Sequence, residues 1–208
     1  MPEAPKYKKS EIRYQRILEA ALELFLAKGY EATGLSDIIA KSGGSLSSVY
    51  KYFDNKETLF LNIIEQQSKK LDEQMNERMR INSNLPLREY LKEFAGIYLE
   101  FLFASDTMKF HRLILSSGFS GALRESPKIF LKSGVLGSPH ALNEYLDAHM
   151  SEFAQGRTSD RLALYFCFLL REPHFSRLLF FDEEPKFKAS ELIKDRIDIF
   201  LNGMKKHD

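Results

Sequence analysis

Residues 45–52 concentrate hydroxyl and amine side chains on a segment whose apolar residues have helical spacing. The apolar and aromatic positions fall at i, i+3, i+4 and i+7, namely Leu46, Val49, Tyr50 and Phe53. We expect Ser45 to cap this helix, Val49 and Phe53 to face inward, and the polar side chains to lie largely on the other side. Those polar side chains are Ser47, Ser48, Lys51 and Tyr52. Small hydroxyls approach a DNA groove closely and bond phosphates or base edges, while Tyr and Lys reach the backbone, so the pattern is typical of nucleic-acid recognition.

A basic N-terminal edge precedes this segment. Residues 6–16 carry five Lys or Arg side chains against Glu11 alone, although the whole chain has a net charge of only +1. Such an edge suits contact with an anionic polymer at one end of the protein, and an ordinary solvated terminus is the alternative. Residues 1–9 contain two prolines and little that could pack, so we expect them to form a flexible basic arm.

Two further helices are expected between this arm and residue 45. The first runs from Ser10 to a stop at Gly29, and the second breaks at Gly43-Gly44. Their apolar faces consist of Ile17, Ala21, Leu24 and Phe25, followed by Leu35, Ile38 and Ile39. Short helices of which the last two are joined by a glycine turn form a helix-turn-helix, which predicts a DNA-binding domain over residues 10–56. A generic three-helix unit with a solvated polar face is the alternative.

The stretch from Ile17 to Leu59 resembles the DNA-binding domain of the TetR family of bacterial transcriptional regulators. The matching motifs are Ala20-Ala21-x-x-x-Phe25, Gly29-Tyr30-x-x-Thr33, Asp37-Ile38, Ser42-Gly43-x-Ser45, Val49-Tyr50-Lys51-Tyr52-Phe53 and Lys56-Glu57-x-Leu59. The resemblance covers about a quarter of the chain, and the combination of motifs is specific. It implies that a helical body, which dimerises and senses a small molecule, follows the DNA-binding domain. We therefore expect an all-α protein.

The resemblance also implies DNA contacts, position by position. They fall at the start of the second helix, along the third helix and at the start of the fourth: Thr33, Ser36, Ser45, Leu46, Ser47, Ser48, Tyr50, Tyr52 and Lys56. Thr33 would cap the second helix and touch the DNA backbone, and Lys56 would hold a phosphate. Lys51 is added to these contacts because its ammonium group can reach the DNA backbone. Two departures from the family pattern are Gly44, which replaces an apolar turn residue, and Leu46, which stands where a polar contact is common. Leu46 could fill the turn or meet a thymine methyl group.

Residues 57–208 carry no catalytic signature. The five histidines lack metal-ligand spacing, and no P-loop, GxGxxG or GxSxG motif occurs, so we expect neither an enzyme nor a metal or cofactor site. The single cysteine, Cys167, excludes an intramolecular disulfide and lies in an apolar segment, where a buried inert thiol is more frequent than a redox sensor. The chain has no apolar stretch of about 18 residues and no apolar leader, so we expect a cytoplasmic protein without membrane contact.

Residues 57–208 are rich in Phe and Tyr side chains. By resemblance, their central helices would enclose an effector pocket, and the candidate lining residues are Phe94, Tyr98, Phe101, Phe110, His111, Arg112, Phe119 and Phe166. Each of them individually belongs more often to a core than to a pocket wall. Because the walls would be largely aromatic, we expect an uncharged or weakly anionic, mainly apolar effector. Arg112 could bind one carboxylate or phenolate of such a compound.

Two apolar segments near the C-terminus, 159–171 and 187–203, match the family's last two helices, which pair with their two-fold mates as a four-helix bundle. The first is apolar almost all round and should be buried on several sides. The expected dimer contacts are Leu164, Phe168, Ile193, Ile197 and Phe200. A single DNA-binding module of this size binds weakly, so dimerisation would also be needed for tight binding to DNA.

These observations predict an arm at 1–9, a helix-turn-helix domain at 10–56 and a helical effector-binding and dimerisation domain at 57–208. The expected protein is a homodimeric transcriptional repressor that leaves its double-stranded DNA operator when a small, largely apolar molecule binds. An activator, or a regulator with no natural ligand, is the near alternative. A small all-α enzyme or protein-interaction module without DNA binding is the distant one.

Overall fold

The computed structural model describes residues 8–43, 45–80, 84–119, 123, 139–184 and 186–204, without the side chains of Lys8, Lys9, Arg80 and Phe119. Within these ranges the chain forms α-helices and one short 3-10 helix and contains no strand, which confirms the expected all-α class. The helices are α1 Lys8–Lys28, α2 Leu35–Ser42, α3 Leu46–Tyr52, α4 Lys56–Arg80, α5 Leu87–Leu102, α6 Ser105–Phe119, α7 His140–Ala148, the 3-10 helix Met150–Glu152, α8 Ser159–Arg171, α9 His174–Phe181 and α10 Ala189–Met204.

The chain divides into two compact units, and the division falls inside helices α4 and α6. The first unit comprises residues 1–67 and 109–130, and the second comprises 68–108 and 131–208. The first unit therefore continues beyond residue 56, where the predicted DNA-binding domain ends. The functional boundary at 56/57 stays a prediction. Residues 1–7 of the expected arm lie outside the described residues, whereas Lys8 and Lys9 already belong to α1.

In the first unit, α1 packs against α2, and α2 packs against α3. Ile17 and Ala21 of α1 are fully buried. Phe25, Tyr30 and Phe60 form an aromatic cluster with ring centroids 5.0–5.5 Å apart. Aromatic pairs at these distances stabilise a core beyond the area that they bury. The cluster ties the end of α1 to α4 and so supports the helix-turn-helix.

The turn between α2 and α3 depends on a glycine. Gly43 has a φ of 71°, and its N–H bonds the carbonyl of Ile39 at 3.1 Å, which ends α2. This left-handed conformation is strained for residues with a Cβ, so Gly43 permits the sharp change of direction. Gly44, the departure from the family pattern, lies outside the described residues.

The second unit is organised around α8, which packs against α5, α7 and α10. Phe166 of α8 lies between Phe94 of α5 and Phe200 of α10, with ring centroids at 6.1 and 4.9 Å. All three rings are fully buried. The nearly all-apolar sequence of α8 follows from this central position. One strip of α8 nevertheless stays exposed, namely Tyr165 and Phe168.

Cys167 lies on the buried side of α8 and faces the hydroxyl of Tyr98. Burial raises the pKa of the thiol to about 12, and the nearby Arg171 guanidinium opposes this shift only in part. Because the thiolate is the reactive form, we expect the folded protein to resist a thiol reagent such as DTNB at pH 8 and to react fully in denaturant. Rapid labelling of the native protein would contradict the buried position.

None of the described helices is both long enough and apolar enough to cross a membrane.

Candidate nucleic-acid interface

Helix α3 exposes a mixed polar and apolar surface. Leu46 and Tyr50 are 50% and 52% exposed, and Ser47 and Lys51 are exposed as well. Val49 is fully buried, as predicted. Ser45 caps the helix, since its hydroxyl accepts the N–H of Ser48 at 3.3 Å, which confirms the expected N-cap. The exposed side chains place hydroxyls, one ammonium group and one apolar contact on the same short helix, a combination that can bond phosphates and base edges.

Ser36 and Leu46 extend this surface. Ser36 is exposed in the first turn of α2. Leu46 is half exposed at the start of α3. Its exposed part is available to a thymine methyl group, and both roles expected for Leu46 stay predictions.

Three of the expected DNA-contacting side chains are instead buried: Thr33, Ser48 and Tyr52. Ser48 and Tyr52 share the inward face of α3 with Val49, because residues three and four apart lie on one side of a helix. The hydroxyl of Tyr52 bonds that of Ser10 at 2.8 Å, and its ring packs edge-on against Tyr14. The expectation that Ser48 and Tyr52 lie on the outer side of α3 is therefore wrong.

Thr33 has a structural role different from the expected cap. Its hydroxyl donates to the carbonyl of Gly29 at 2.8 Å, and its side chain is fully buried. The N-cap of α2 is Gly34, whose N–H donates to the carboxylate of Asp37 at 3.4 Å. Thr33 thus stabilises the end of α1 and does not present its hydroxyl to DNA.

Lys56 is also bound internally. Its Nζ donates to the carbonyls of Tyr30 and Thr33 at 3.0 and 3.1 Å and lies 4.3 Å from the centre of the Tyr30 ring. The ammonium group therefore joins the start of α4 to the segment between α1 and α2. A phosphate would have to compete with these two carbonyls, so the expected phosphate contact of Lys56 stays a prediction.

Replacing Lys56 by alanine should lower the free energy of unfolding by about 1.5–3 kcal/mol, because hydrogen bonds from a charged donor to two carbonyls are lost. Urea unfolding followed by circular dichroism measures this loss. Lys51→Ala is the matched control, since Lys51 is exposed on α3 and its removal should change stability by no more than about 0.5 kcal/mol. Equal stability of the two variants would contradict the internal role of Lys56.

Arg13 was not among the expected contact residues. It is exposed on α1, and its Nη1 donates to the hydroxyl of Ser48 at 3.4 Å. The excess of basic residues at 6–16 was the available sequence signal. Only the packing of α1 beside α3 shows which basic residue reaches the recognition helix.

The candidate effector residues fall into both compact units. Phe94, Tyr98 and Phe166 lie in the core of the second unit, where the Phe94 and Tyr98 rings stack at 5.6 Å. Phe101, in the same unit, is half-buried beside the Arg78 guanidinium. In the first unit, Phe110 and His111 are buried and Arg112 is half-buried, while the side chain of Phe119 lies outside the described residues. That these residues line one effector pocket stays a prediction.

Tyr98 brings polar groups into the aromatic core of the second unit. Its hydroxyl faces the Cys167 thiol and the Arg171 guanidinium, and all three side chains are buried. Burial is the main reason why the pKa of Tyr98 lies far above its ordinary value. Arg171 also stacks on Phe168, with its guanidinium carbon 4.0 Å from the ring centre. The family resemblance indicated Tyr98 and Phe166 as candidate pocket residues, but it did not indicate this polar cluster.

The residues expected at a dimer interface are only partly on the surface. Phe168 is exposed and Leu164 half-buried, whereas Ile193, Ile197 and Phe200 are buried. Ile193 and Ile197 line a groove of about 830 Å³ between α5 and α10, which is rimmed by the 2.7 Å ion pair of Arg88 with Asp198. Their assignment as dimer contacts stays a prediction, since a second copy could still reach them through this groove.

A different strip of α8 and α10 is apolar and exposed. Tyr165, Phe168 and Ile199 are 40%, 45% and 47% exposed. With Leu169 and Met204 they line a shallow depression of about 550 Å³ in the second unit. We call these five residues the apolar face. The sequence signal for Tyr165 and Ile199 was present, since both lie in the predicted helices, but helical periodicity did not decide which side of each helix is exposed.

The family model described as "Bacterial regulatory proteins, tetR family" matches residues 17–63. The HTH-type transcriptional regulator YfiR of Bacillus subtilis is 45% identical over 53 residues, which make up 26% of this chain and 26% of that protein. The chain thus matches about a quarter of the length of this curated relative.

Solved structures share the fold over most of the chain. The flavonoid-responsive regulator FrrA has a TM-score of 0.74 and 22% identity, with 94% of this chain and 98% of FrrA covered. NalD of Pseudomonas aeruginosa, the secondary repressor of the MexAB-OprM multidrug efflux pump, has a TM-score of 0.61 and 22% identity, with 96% and 100% covered. YfiR, FrrA and NalD are named as regulators or repressors rather than as enzymes. Residues 17–63 therefore match the tetR family of bacterial regulatory proteins, and the chain shares the helical fold of the solved structures of FrrA and NalD.

Proposed function

We propose that this protein is a homodimeric transcriptional repressor of the cytoplasm, which binds a DNA operator through α3 and is released from it by a small, largely apolar molecule. The observation that carries the DNA-binding part is the exposed surface of α3, where Leu46, Ser47, Tyr50 and Lys51 project from the helix that follows the Gly43 turn. These groups supply apolar contact, hydroxyls and positive charge on an element short enough to enter a major groove.

A salt-dependent gel shift tests this proposal, with DNA that flanks the protein's own gene as the probe. We expect Tyr50→Phe to weaken binding and Lys51→Ala both to weaken it and to reduce the salt slope by about one unit per protomer, because one phosphate contact is lost. Lys69→Ala is the matched control, since Lys69 is an exposed lysine of α4 outside the α3 surface. Unchanged affinity of both α3 variants at low and high salt would contradict DNA binding through this helix.

The apolar face supports the homodimer. Exposed aromatic and aliphatic side chains on two adjacent helices form a contiguous patch, and such patches on soluble proteins mark interaction sites. A second copy of α8 and α10 would cover the patch and bring a second α3 to the same DNA. Two half-sites one helical turn apart, about 34 Å, would then be bound together.

The effector part of the proposal rests on the aromatic character of the second unit and on the response of FrrA to flavonoids. A wall of Phe and Tyr accommodates an apolar compound at little desolvation cost, while a multiply charged metabolite would leave charges unpaired. An effector present at about 100 times its dissociation constant should stabilise the fold by about 2.7 kcal/mol, which a thermal-shift screen detects. A screen in which only highly charged metabolites raise the melting temperature and release DNA would contradict an apolar effector.

A further inference from the structure

One side of α8 carries a stripe of side chains in a symmetric order. Arg161, Tyr165, Phe168 and Glu172 follow one another at i, i+4, i+7 and i+11, so they lie on a single side of the helix and its C-cap. The first three are exposed, and the Glu172 side chain is 34% exposed. The stripe is therefore basic at its N-terminal end, aromatic in the middle, where it belongs to the apolar face, and acidic at its C-terminal end.

This order is self-complementary under a two-fold rotation. In a symmetric dimer, each contact between one residue of the first copy and another of the second occurs twice. Arg161 and Glu172 share their midpoint in the sequence with Tyr165 and Phe168. If the α8 helices of two copies cross antiparallel at this point, Arg161 of each copy meets Glu172 of the other, and Tyr165 meets Phe168. A parallel crossing would bring together like charges, which repel one another.

The carboxylate of Glu172 can bind a further cation. Ser176 Oγ donates to its Oε2 at 2.7 Å, and Arg171 Nε lies 3.7 Å from its Oε1. An ionised carboxylate accepts about four hydrogen bonds, so a guanidinium of a second copy can be added. Arg196, another cation beside the apolar face, is less available, because its side chain is only 23% exposed and lies 3.4 Å from the Asp195 carboxylate.

We propose that two copies of this chain associate through an antiparallel crossing of their α8 helices, in which two ion pairs between Arg161 and Glu172 flank the contacts of Tyr165 with Phe168. This inference rests on the proposed homodimer, and it adds the register and the residues that select a second copy of the same chain. Apolar contact supplies most of the affinity, while the ion pairs fix the register and disfavour partners with another order of charges.

A charge swap separates the antiparallel crossing from the parallel one. The double variant Arg161→Glu with Glu172→Arg keeps the net charge, and its antiparallel homodimer contains both ion pairs again. A heterodimer of this variant with the wild type contains two like-charged pairs instead. We expect about 3- to 10-fold discrimination against the heterodimer, which lowers its share from one half at random pairing to about one quarter or less. Native mass spectrometry after subunit exchange, with one partner isotope-labelled, measures this share.

The double variant Lys69→Glu with Glu73→Lys is the matched control. It also swaps the two charges of an exposed pair, but this pair belongs to α4 and not to the apolar face. Its heterodimer with the wild type should make up one half of the dimers.

Cysteine cross-linking tests the register without a change of charge order. Arg161 and Glu172 are 11 positions apart. This separation corresponds to about 16 Å along a helix, whereas a disulfide joins Cα atoms no more than about 7 Å apart. We expect an Arg161→Cys chain and a Glu172→Cys chain to cross-link with each other when they are mixed under mild oxidation, and neither chain to cross-link with itself. The thiol of Cys167 is buried and should not contribute.

Two results would overturn the proposed register. One is a heterodimer share for the Arg161 and Glu172 swap that does not fall below that of the control. The other is cross-linking of either cysteine chain with itself, which a parallel crossing predicts. In both cases the wild type is still a dimer, so the proposed homodimer survives. If sedimentation velocity shows that the wild type is a monomer at micromolar concentration, the homodimer and the register are both wrong.

Discussion

Replacing Ile199 by glutamate is expected to convert the protein into a monomer and to lower its affinity for operator DNA at least about 100-fold. Ile199 is 47% exposed and lies in the apolar face beside Tyr165 and Phe168. A carboxylate placed there would lose its hydration in a dimer, and pairing with the Arg196 guanidinium of the same depression would offset this cost only in part, so association becomes unfavourable. DNA affinity falls as well, because two linked modules bind far more tightly than one.

Sedimentation velocity and a gel shift on the same samples measure both effects. Phe181→Glu is the matched control, since Phe181 is 72% exposed at the end of α9 and does not belong to the apolar face. The control should remain dimeric and bind DNA like the wild type. A monodisperse wild-type monomer at micromolar concentration, or an Ile199→Glu variant that is still dimeric, would show that this face is not the interface.

The neighbouring residue should behave in a different way. Phe200→Ala is expected to lower the free energy of unfolding by about 3–5 kcal/mol, because it leaves a cavity in a packed core. The Phe200 ring is fully buried and lies 4.9 Å from the Phe166 ring and 6.1 Å from the Phe153 ring. Loss of these contacts weakens each subunit and does not act on association alone.

Urea unfolding at several protein concentrations separates the two residues. The stability lost in Phe200→Ala should be the same at every concentration. Ile199→Ala, by contrast, should cost little in the subunit itself, and any loss should shrink as concentration rises, because mass action restores the dimer. If Phe200→Ala unfolds like the wild type, the packing of α8 against α10 is not as described.

The helices of the second unit were predictable from the sequence, but the sides that they expose were not. The existence of α8 and α10 follows from apolar periodicity, and both helices form close to the expected bounds. Periodicity identifies an apolar side but does not say whether that side faces another helix of the same chain or a second subunit. Ile193 and Ile197, which were expected at a dimer interface, are buried in the subunit along the groove between α5 and α10, and the expectation stays a prediction. Tyr165 and Ile199, which were not expected at an interface, are exposed on the same two helices.

The N-terminal domain was more predictable, because local chemistry defines most of it. Ser45 as a cap, Gly43 as a turn residue and Val49 as a core residue need only neighbours within a few positions in the chain. The roles of Lys56, Tyr52 and Thr33 depend on partners outside their own helices. Lys56 lies 26 residues from Tyr30, whose carbonyl it bonds, and Tyr52 lies 42 residues from Ser10.

The sequence by itself determined the helical class, the helix-turn-helix, the Ser45 cap and the buried position of Val49, because caps, glycine turns and apolar spacing act within one or two helical turns. Only the tertiary structure decided that Ser48 and Tyr52 point inward, that Lys56 holds the segment between α1 and α2, and that Tyr165, Phe168 and Ile199 form the exposed apolar face. Each of these outcomes depends on which distant surface meets a given helix face. Burial and hydrogen-bond competition between distant segments settle that choice, and neither is encoded in local spacing.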